Sequence, residues 1–192
     1  MIKSSPTGEK LLQIAIGGQP AASRSPFNGT TDIAFANGRI FITDGYANAR
    51  VLEYTADGRK VREWGTAGTG PGQFHLPHSI VVDENNILYI ADRENGRIER
   101  FTLEGKYLGE IPKLGRTFSL KLGENGTLWA SMQPLNEPPG DPGWIVKLDR
   151  TTGKVLGYVP VTEKPGLHSV EDAGNGQPMT VIGNRVVWFK SH

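Results

Sequence analysis

The sequence predicts an all-β fold, a propeller built from four-stranded antiparallel blades. Three observations carry that expectation. Equivalent turn glycines stand at Gly8, Gly58, Gly105 and Gly153, which are 50, 47 and 48 residues apart. A fixed period of roughly 40–50 residues, filled with short strands, marks units that bury their faces only by stacking on copies of themselves. The 25 glycines and 13 prolines lie scattered between short apolar runs, a spacing that allows many turns and few helices. Asn37-Gly38 and Asp57-Gly58 each separate two β-type segments, and such pairs signal hairpins because both residues tolerate positive φ.

The whole chain, 1–192, reads as one domain. It opens with an N-terminal strand at about 9–17, centred on Leu11-Leu12-Gln13-Ile14, in the register of a fourth blade strand. The first full repeat spans about 27–65, with strands expected at 32–35, 39–43, 50–54 and 60–64. The second, about 76–111, repeats the order at 79–82, 87–90, 97–101 and 106–110. The third, about 117–160, has strands at 118–121, 127–130, 144–148 and 154–158, with a Pro-rich insertion from Gln133 to Gly143 between its second and third. The last, 167–192, gives 168–170, 179–182 and 185–189 and then stops without a fourth strand. The N-terminal strand is therefore expected to complete the C-terminal blade and close a ring of about four blades, leaving no sheet edge open. The alternative is part of a larger, six-bladed-type ring, whose open blade edges would pair with another chain and give a homo-oligomer.

Charge and composition narrow the partners. With 21 basic and 20 acidic residues, no field draws in nucleic acid or an anionic membrane surface, which leaves a small-molecule or peptide ligand, or a protein. The absence of cysteine removes disulfides, thiolate metal sites and cysteine nucleophiles together. No apolar run approaches the ~20 residues of a membrane span, and Met1-Ile2-Lys3-Ser4-Ser5 enters the first repeat without a signal-peptide core. The run Gly65-Thr66-Ala67-Gly68-Thr69-Gly70-Pro71-Gly72 looks like a phosphate loop, but it lacks the Gly-Lys-Ser/Thr ending and no helix follows. It reads as a connection between blades.

The residues with chemistry sit at blade starts and on one set of loops. His78 and His168 each open the innermost strand of a blade, in Pro77-His78-Ser79 and Leu167-His168-Ser169, and such positions converge on a propeller's central channel. Two converging imidazoles suit part of a zinc site, which in catalytic form takes three protein ligands and a water; the alternative is that each His-Ser pair satisfies turn hydrogen bonds. Asp44, Asn48 and Arg50 recur as Asp92, Asn95 and Arg97 between the second and third strands of consecutive blades, and what recurs is architecture, carboxylate and guanidinium tying loops together. Tyr46 and Arg93 differ between the two copies. A phenol can accept a proton and a guanidinium can hold a carboxylate; the alternative is loop packing.

The segments Thr43-Asp44-Gly45-Tyr46-Ala47-Asn48-Ala49-Arg50, Gly70-Pro71-Gly72-Gln73-Phe74 with Leu76-Pro77-His78-Ser79, and Ala91-Asp92-Arg93-Glu94-Asn95-Gly96-Arg97-Ile98 resemble NHL-repeat propellers. Within that group they most resemble the peptidyl-α-hydroxyglycine α-amidating lyases and their bacterial relatives. The match is close from about Phe27 to Phe101. The resemblance implies a six-bladed propeller with zinc on its axis held by three histidines, and cleavage of a C-terminal α-hydroxyglycine to a peptide amide and glyoxylate. It implies zinc ligation by His78 and His168, a base role for Tyr46, and a place for Arg93 beside the substrate carboxylate. The third histidine of that family lies upstream of the matched region, whereas the first histidine here is His75; Gly166 and Ser169 stand where the family has methionine and aspartate. A non-catalytic binding propeller, presenting the same loop face to a peptide, glycan or protein, is the alternative.

Overall fold

The computed structural model describes residues 1–16, 29–46, 48–112, 114–138, 142–162, 167–173 and 176–189. Residue 17, Phe27, Ala47, Gly166, His192 and the middle of the Pro-rich insertion lie outside them. A short hairpin comes first, β1 (Ile2–Ser4) and β2 (Lys10–Gln13). The first blade is β3 (Thr30–Ala36), β4 (Arg39–Asp44), β5 (Arg50–Thr55) and β6 (Lys60–Trp64). Two short strands, β7 (Thr66–Ala67) and β8 (Gln73–Phe74), pair in parallel across the Gly-rich connection. The second blade is β9 (Pro77–Val82), β10 (Ile87–Asp92), β11 (Arg97–Thr102) and β12 (Tyr107–Ile111), with a 3-10 turn at Arg93–Asn95. The third is β13 (Arg116–Leu122), β14 (Thr127–Gln133), β15 (Gly143–Asp149) and β16 (Val155–Val161), and the fourth is β17 (Glu171–Asp172), β18 (Pro178–Ile182) and β19 (Arg185–Trp188). All sheets of the blades are antiparallel meanders. The turns explain them: Asn37 and Gly38 take φ 49 and 70, the left-handed pair that a two-residue hairpin needs.

Central strands are buried on both faces, so they read as continuous rather than alternating apolar runs. On β4, Ile40 and Ile42 face one neighbour while Phe41 faces the other. On β10, Leu88 and Ile90 pack toward the first blade, and Tyr89 and Ala91 toward the third. On β14, Leu128, Ala130 and Met132 pack toward the second blade and Trp129 toward the fourth. Successive blades are thus joined by successive hydrophobic clusters, each a stack of one sheet face on another. Among the described residues no helix is long and apolar enough to cross a membrane.

Two expectations are corrected. Among the described residues the N-terminal strand does not pair with the C-terminal blade. It pairs with β1, Lys3 opposite Leu12, and the Met1 ammonium donates to the Ile14 carbonyl at 2.9 Å. Its apolar side chains Leu12 and Ile14 cover Ile40, Ile42, Leu52 and Tyr54 of the first blade, so the hairpin occupies the position of the outer half of a preceding blade. The apolar face of β4 and β5 demanded a cover, and Ile2–Ser4, read as a lead-in, is the strand that completes the covering hairpin. In the last blade the innermost strand begins at Glu171 rather than at His168. There the Thr180 hydroxyl takes the Ser169 carbonyl, so His168 and Ser169 lie outside the ladder.

The recurring Asp, Asn and Arg are architectural, as expected. Asp44 accepts from Asn48 and Arg50, each at 2.9 Å, and Asp92 from Asn95 at 2.6 Å and Arg97 at 2.8 Å. Arg97 also donates to the carbonyls of Thr69, Gly70 and Gln73, clamping the Gly-rich connection. Beside it the fully buried Glu99 accepts from the Gly72 N–H at 3.1 Å, while its Oε2 has no hydrogen-bond partner. Burial pushes the Glu99 carboxyl up to about 7, against the pull of the Gly72 N–H and Arg97. A folded-state value above the ordinary carboxylate range of about 4.3 means that the folded chain binds the extra proton. This contribution to stability is therefore complete below about pH 4.3 and is lost as pH rises through about 7. Melting temperature followed against pH should show Glu99→Gln more stable than wild type at pH 8 and flatter between these limits. A variant no more stable than wild type at pH 8 would contradict the assignment.

Candidate functional site

The four residues singled out from the sequence meet at one place. His78, at the second position of β9 and 6% exposed, is turned inward by the β9–β10 pairing and by the turn before it. That turn is unusual, since Leu76 takes φ 69, a left-handed conformation that costs a leucine about 1–3 kcal/mol. It is held by two backbone bonds from the 3-10 turn, Arg93 N–H to the Leu76 carbonyl at 3.2 Å and Glu94 N–H to the His75 carbonyl at 3.0 Å. Tyr46 is positioned from the first blade. Its N–H donates to the Gly29 carbonyl at 3.0 Å, and a Cβ on Gly29 would lie 2.2 Å from that of Tyr46. Gly45 allows the chain to pass the second blade, because a Cβ there would come within 2.1 Å of the Pro77 carbonyl oxygen.

The Tyr46 hydroxyl and His78 Nε2 are 2.9 Å apart. The Phe118 carbonyl lies 2.5 Å from His78 Nδ1, and as a pure acceptor it requires Nδ1 to carry the proton. Nε2 is then the lone-pair nitrogen and accepts from the Tyr46 O–H. The His168 ring stands 5.0 Å from that of His78, centre to centre, and 5.1 Å from that of Phe118. Burial pushes His78 down to about 4, with the Arg93 charge and His168 adding to it and the Phe118 carbonyl opposing it. Burial and then Arg93 also lower His168. Both imidazoles are therefore neutral at neutral pH, the state in which a histidine ligates metal and is a poor base.

Thr31, Asp32, Tyr46, His78, Phe118 and His168 are among the residues that line a cavity of about 240 Å³. Arg93 does not line it directly; its guanidinium lies 4.9 Å from the centre of the Phe118 ring and 5.8 Å from that of Tyr46. Asp32 is committed elsewhere, accepting from Ser79 Oγ at 2.7 Å and from the Ile80 N–H at 3.0 Å, a tie between blades. Among the described residues no group of three or more His, Asp or Glu side chains could hold a metal ion.

Phe118 is the residue that sequence reasoning missed. It touches His78, His168 and Arg93, and its carbonyl fixes the His78 tautomer. A signal for it exists: His78-Ser79, Phe118-Ser119 and His168-Ser169 are the same dipeptide position in three consecutive blades.

Fold and site together define a β-propeller whose inner strands surround a histidine-bearing cavity. Residues 22–158 match the 6-bladed beta-propeller family, and the chain belongs to it. It is similar to the mouse peptidyl-glycine alpha-amidating monooxygenase, 38% identical over 103 residues that make up 50% of this chain and 10% of that protein. Drosophila melanogaster peptidyl-alpha-hydroxyglycine alpha-amidating lyase 1 is 34% identical over 103 residues, 49% of this chain and 19% of that one. Human NHL repeat-containing protein 3 is 31% identical over 113 residues, 56% of this chain and 33% of that one. The chain thus spans a third or less of the length of these relatives.

Proposed function

We propose that the cavity is a lyase site of the amidating type, in which a C-terminal α-hydroxyglycine is split into a peptide amide and glyoxylate. The observation that carries this reading is the cluster of Tyr46, His78 and His168 on one cavity with Arg93 behind it, and its support from sequence is the similarity to the amidating enzymes. The side chains suit two of the positions around a zinc ion: His78 through Nε2, whose lone pair is fixed by the Nδ1–H bond to Phe118, and His168. When bound, zinc supplies a Lewis acid that favours the ionised form of the substrate hydroxyl. His78 Nε2 has a single lone pair, so its bond to Tyr46 and ligation are alternatives.

The chain's own residues do the rest. The Tyr46 phenolic oxygen accepts the hydroxyl proton as its own O–H proton passes to the departing nitrogen, so the phenol is regenerated. The O–H electron pair becomes the new carbonyl bond of glyoxylate, the C–N pair leaves on nitrogen, and the nitrogen takes up a proton to give the amide. Arg93 pairs with the carboxylate that becomes that of glyoxylate. Neutral His78, with its low proton affinity, does not compete as base.

A second reading is favoured by one observation, that two histidines rather than three are found on the cavity among the described residues. On it, the same cavity binds a peptide, glycan or protein without turnover. Release of glyoxylate from α-hydroxyhippurate in the presence of zinc separates the two. The lyase reading predicts zinc-dependent release that falls by about a hundredfold in Tyr46→Phe. Zinc bound to the chain with no glyoxylate formed would overturn it and leave the binding module.

A further inference from the structure

The Pro-rich insertion is tied to this site through one arginine. Arg116, at the start of β13 and 8% exposed, uses all three guanidinium nitrogens. Nη1 donates to the carbonyls of Pro134 at 3.3 Å and Glu137 at 2.6 Å, and Nη2 to that of Leu135 at 3.2 Å. Nε donates to both carboxylate oxygens of Glu94, each at 3.0 Å. Glu94 Oε1 also accepts from Arg93 Nε at 2.8 Å. One carboxylate therefore serves two buried guanidiniums, and the trio carries one excess positive charge.

Among the described residues the Arg93 side chain is held by its Nε and by the rings of Phe118 and Tyr46. Among the described residues neither Nη has a hydrogen-bond partner, although the residue is only 8% exposed. A carboxylate beside a guanidinium ordinarily closes on it in bidentate fashion. Glu94 is the chain neighbour of Arg93 and would do so if it were free to turn. Arg116 prevents this by engaging both of its oxygens.

We propose that Arg116 is a positioning residue that keeps Arg93 open: by occupying Glu94 it confines that acid to Arg93 Nε and leaves the two Nη groups to receive a ligand carboxylate. The inference rests on the reading that Arg93 is the carboxylate-binding group. It does not rest on turnover.

Titration calorimetry with hippurate, an acylated glycine with a free carboxylate and no hydroxyl to react, tests it on the full chain. Arg116→Met is expected to weaken binding about tenfold, because Glu94 then closes on Arg93, and adding Glu94→Gln should restore affinity to within about threefold of wild type, since a neutral amide competes poorly. Arg93→Met should abolish binding. A merely structural role for Arg116 predicts a loss that Glu94→Gln does not rescue, and that result would overturn the proposal, as would unchanged affinity in Arg116→Met or no binding by wild type. Melting temperatures establish that each variant is folded. If Arg116→Met is not, Arg116→Lys, which has one nitrogen where three are needed, carries the same cycle. Absence of glyoxylate release would sink the lyase reading while leaving this result standing.

Discussion

Replacing Arg97 with methionine is expected to cost about 3–5 kcal/mol of folding stability, a large part of the ~5–15 kcal/mol that a domain usually has. The side chain is 8% exposed and pairs with three acids, Asp92 at 2.8 Å, Glu110 at 2.9 Å and Glu99 at 3.3 Å. Asp92 and Glu99 are fully buried, so the variant strands two carboxylates away from water. It also frees the carbonyls of Thr69, Gly70 and Gln73, and with them the connection between the first two blades. Arg50, the equivalent residue one blade earlier, is 18% exposed and reaches outward to Glu63, itself 43% exposed. Arg50→Met should cost less than half as much, and the Arg97→Met penalty should shrink at pH 5, where Glu99 takes up its proton. Urea unfolding of both variants at pH 5 and pH 8 measures this. Equal losses for the two arginines would show that buried pairing is not what Arg97 contributes.

How far the sequence reveals the molecule depends on the range of the interactions. Hairpins are local: Asn37-Gly38 declares one through two left-handed residues, and Asp57-Gly58 another through Gly58 alone, at φ 88, since Asp57 keeps a negative φ. Blade stacking follows from repetition, because a β4 that is apolar on both faces can only sit between two neighbours. Closure is different. Nothing local in Leu12 or Ile14 says which apolar face it will cover, and the choice of the first blade over the last was set by Ile40, Ile42, Leu52 and Tyr54, far along the chain.

The site divides in the same way. His78 is legible because a histidine at the head of an inner strand faces the channel, and Tyr46 and Arg93 because they break the repeat that their neighbours keep; His168, expected at the same place, lies three residues before its strand and still reaches the cavity. Phe118 is masked by its type, since an aromatic residue in a strand reads as core, and only its place before Ser119 marks it as the counterpart of His78. The Glu94–Arg116 pair is hidden too, because residues 22 apart in the chain meet only once two blades are packed. Asp32, which reads as the polar start of a strand, proves to be a tie to the second blade.

His78→Ala is expected to abolish both zinc retention and zinc-dependent glyoxylate release while leaving the propeller folded. The variant deprives the Phe118 carbonyl of its donor, at about 1–3 kcal/mol, and opens the contact with Tyr46, but it touches none of the hydrophobic clusters that join the blades. His168→Ala removes the neighbouring imidazole, whose ring stands 5.0 Å from that of His78, and should act alike. Leaving Nε2 of His78 without its metal partner restores the Tyr46 bond, so the two variants differ in the tyrosine environment while agreeing in metal content. The decisive measurement is the zinc content of the purified, zinc-loaded chain by elemental analysis. The account predicts about one zinc per chain in wild type and none above background in His78→Ala and His168→Ala. Equal zinc in all three proteins, or none in any, would contradict it.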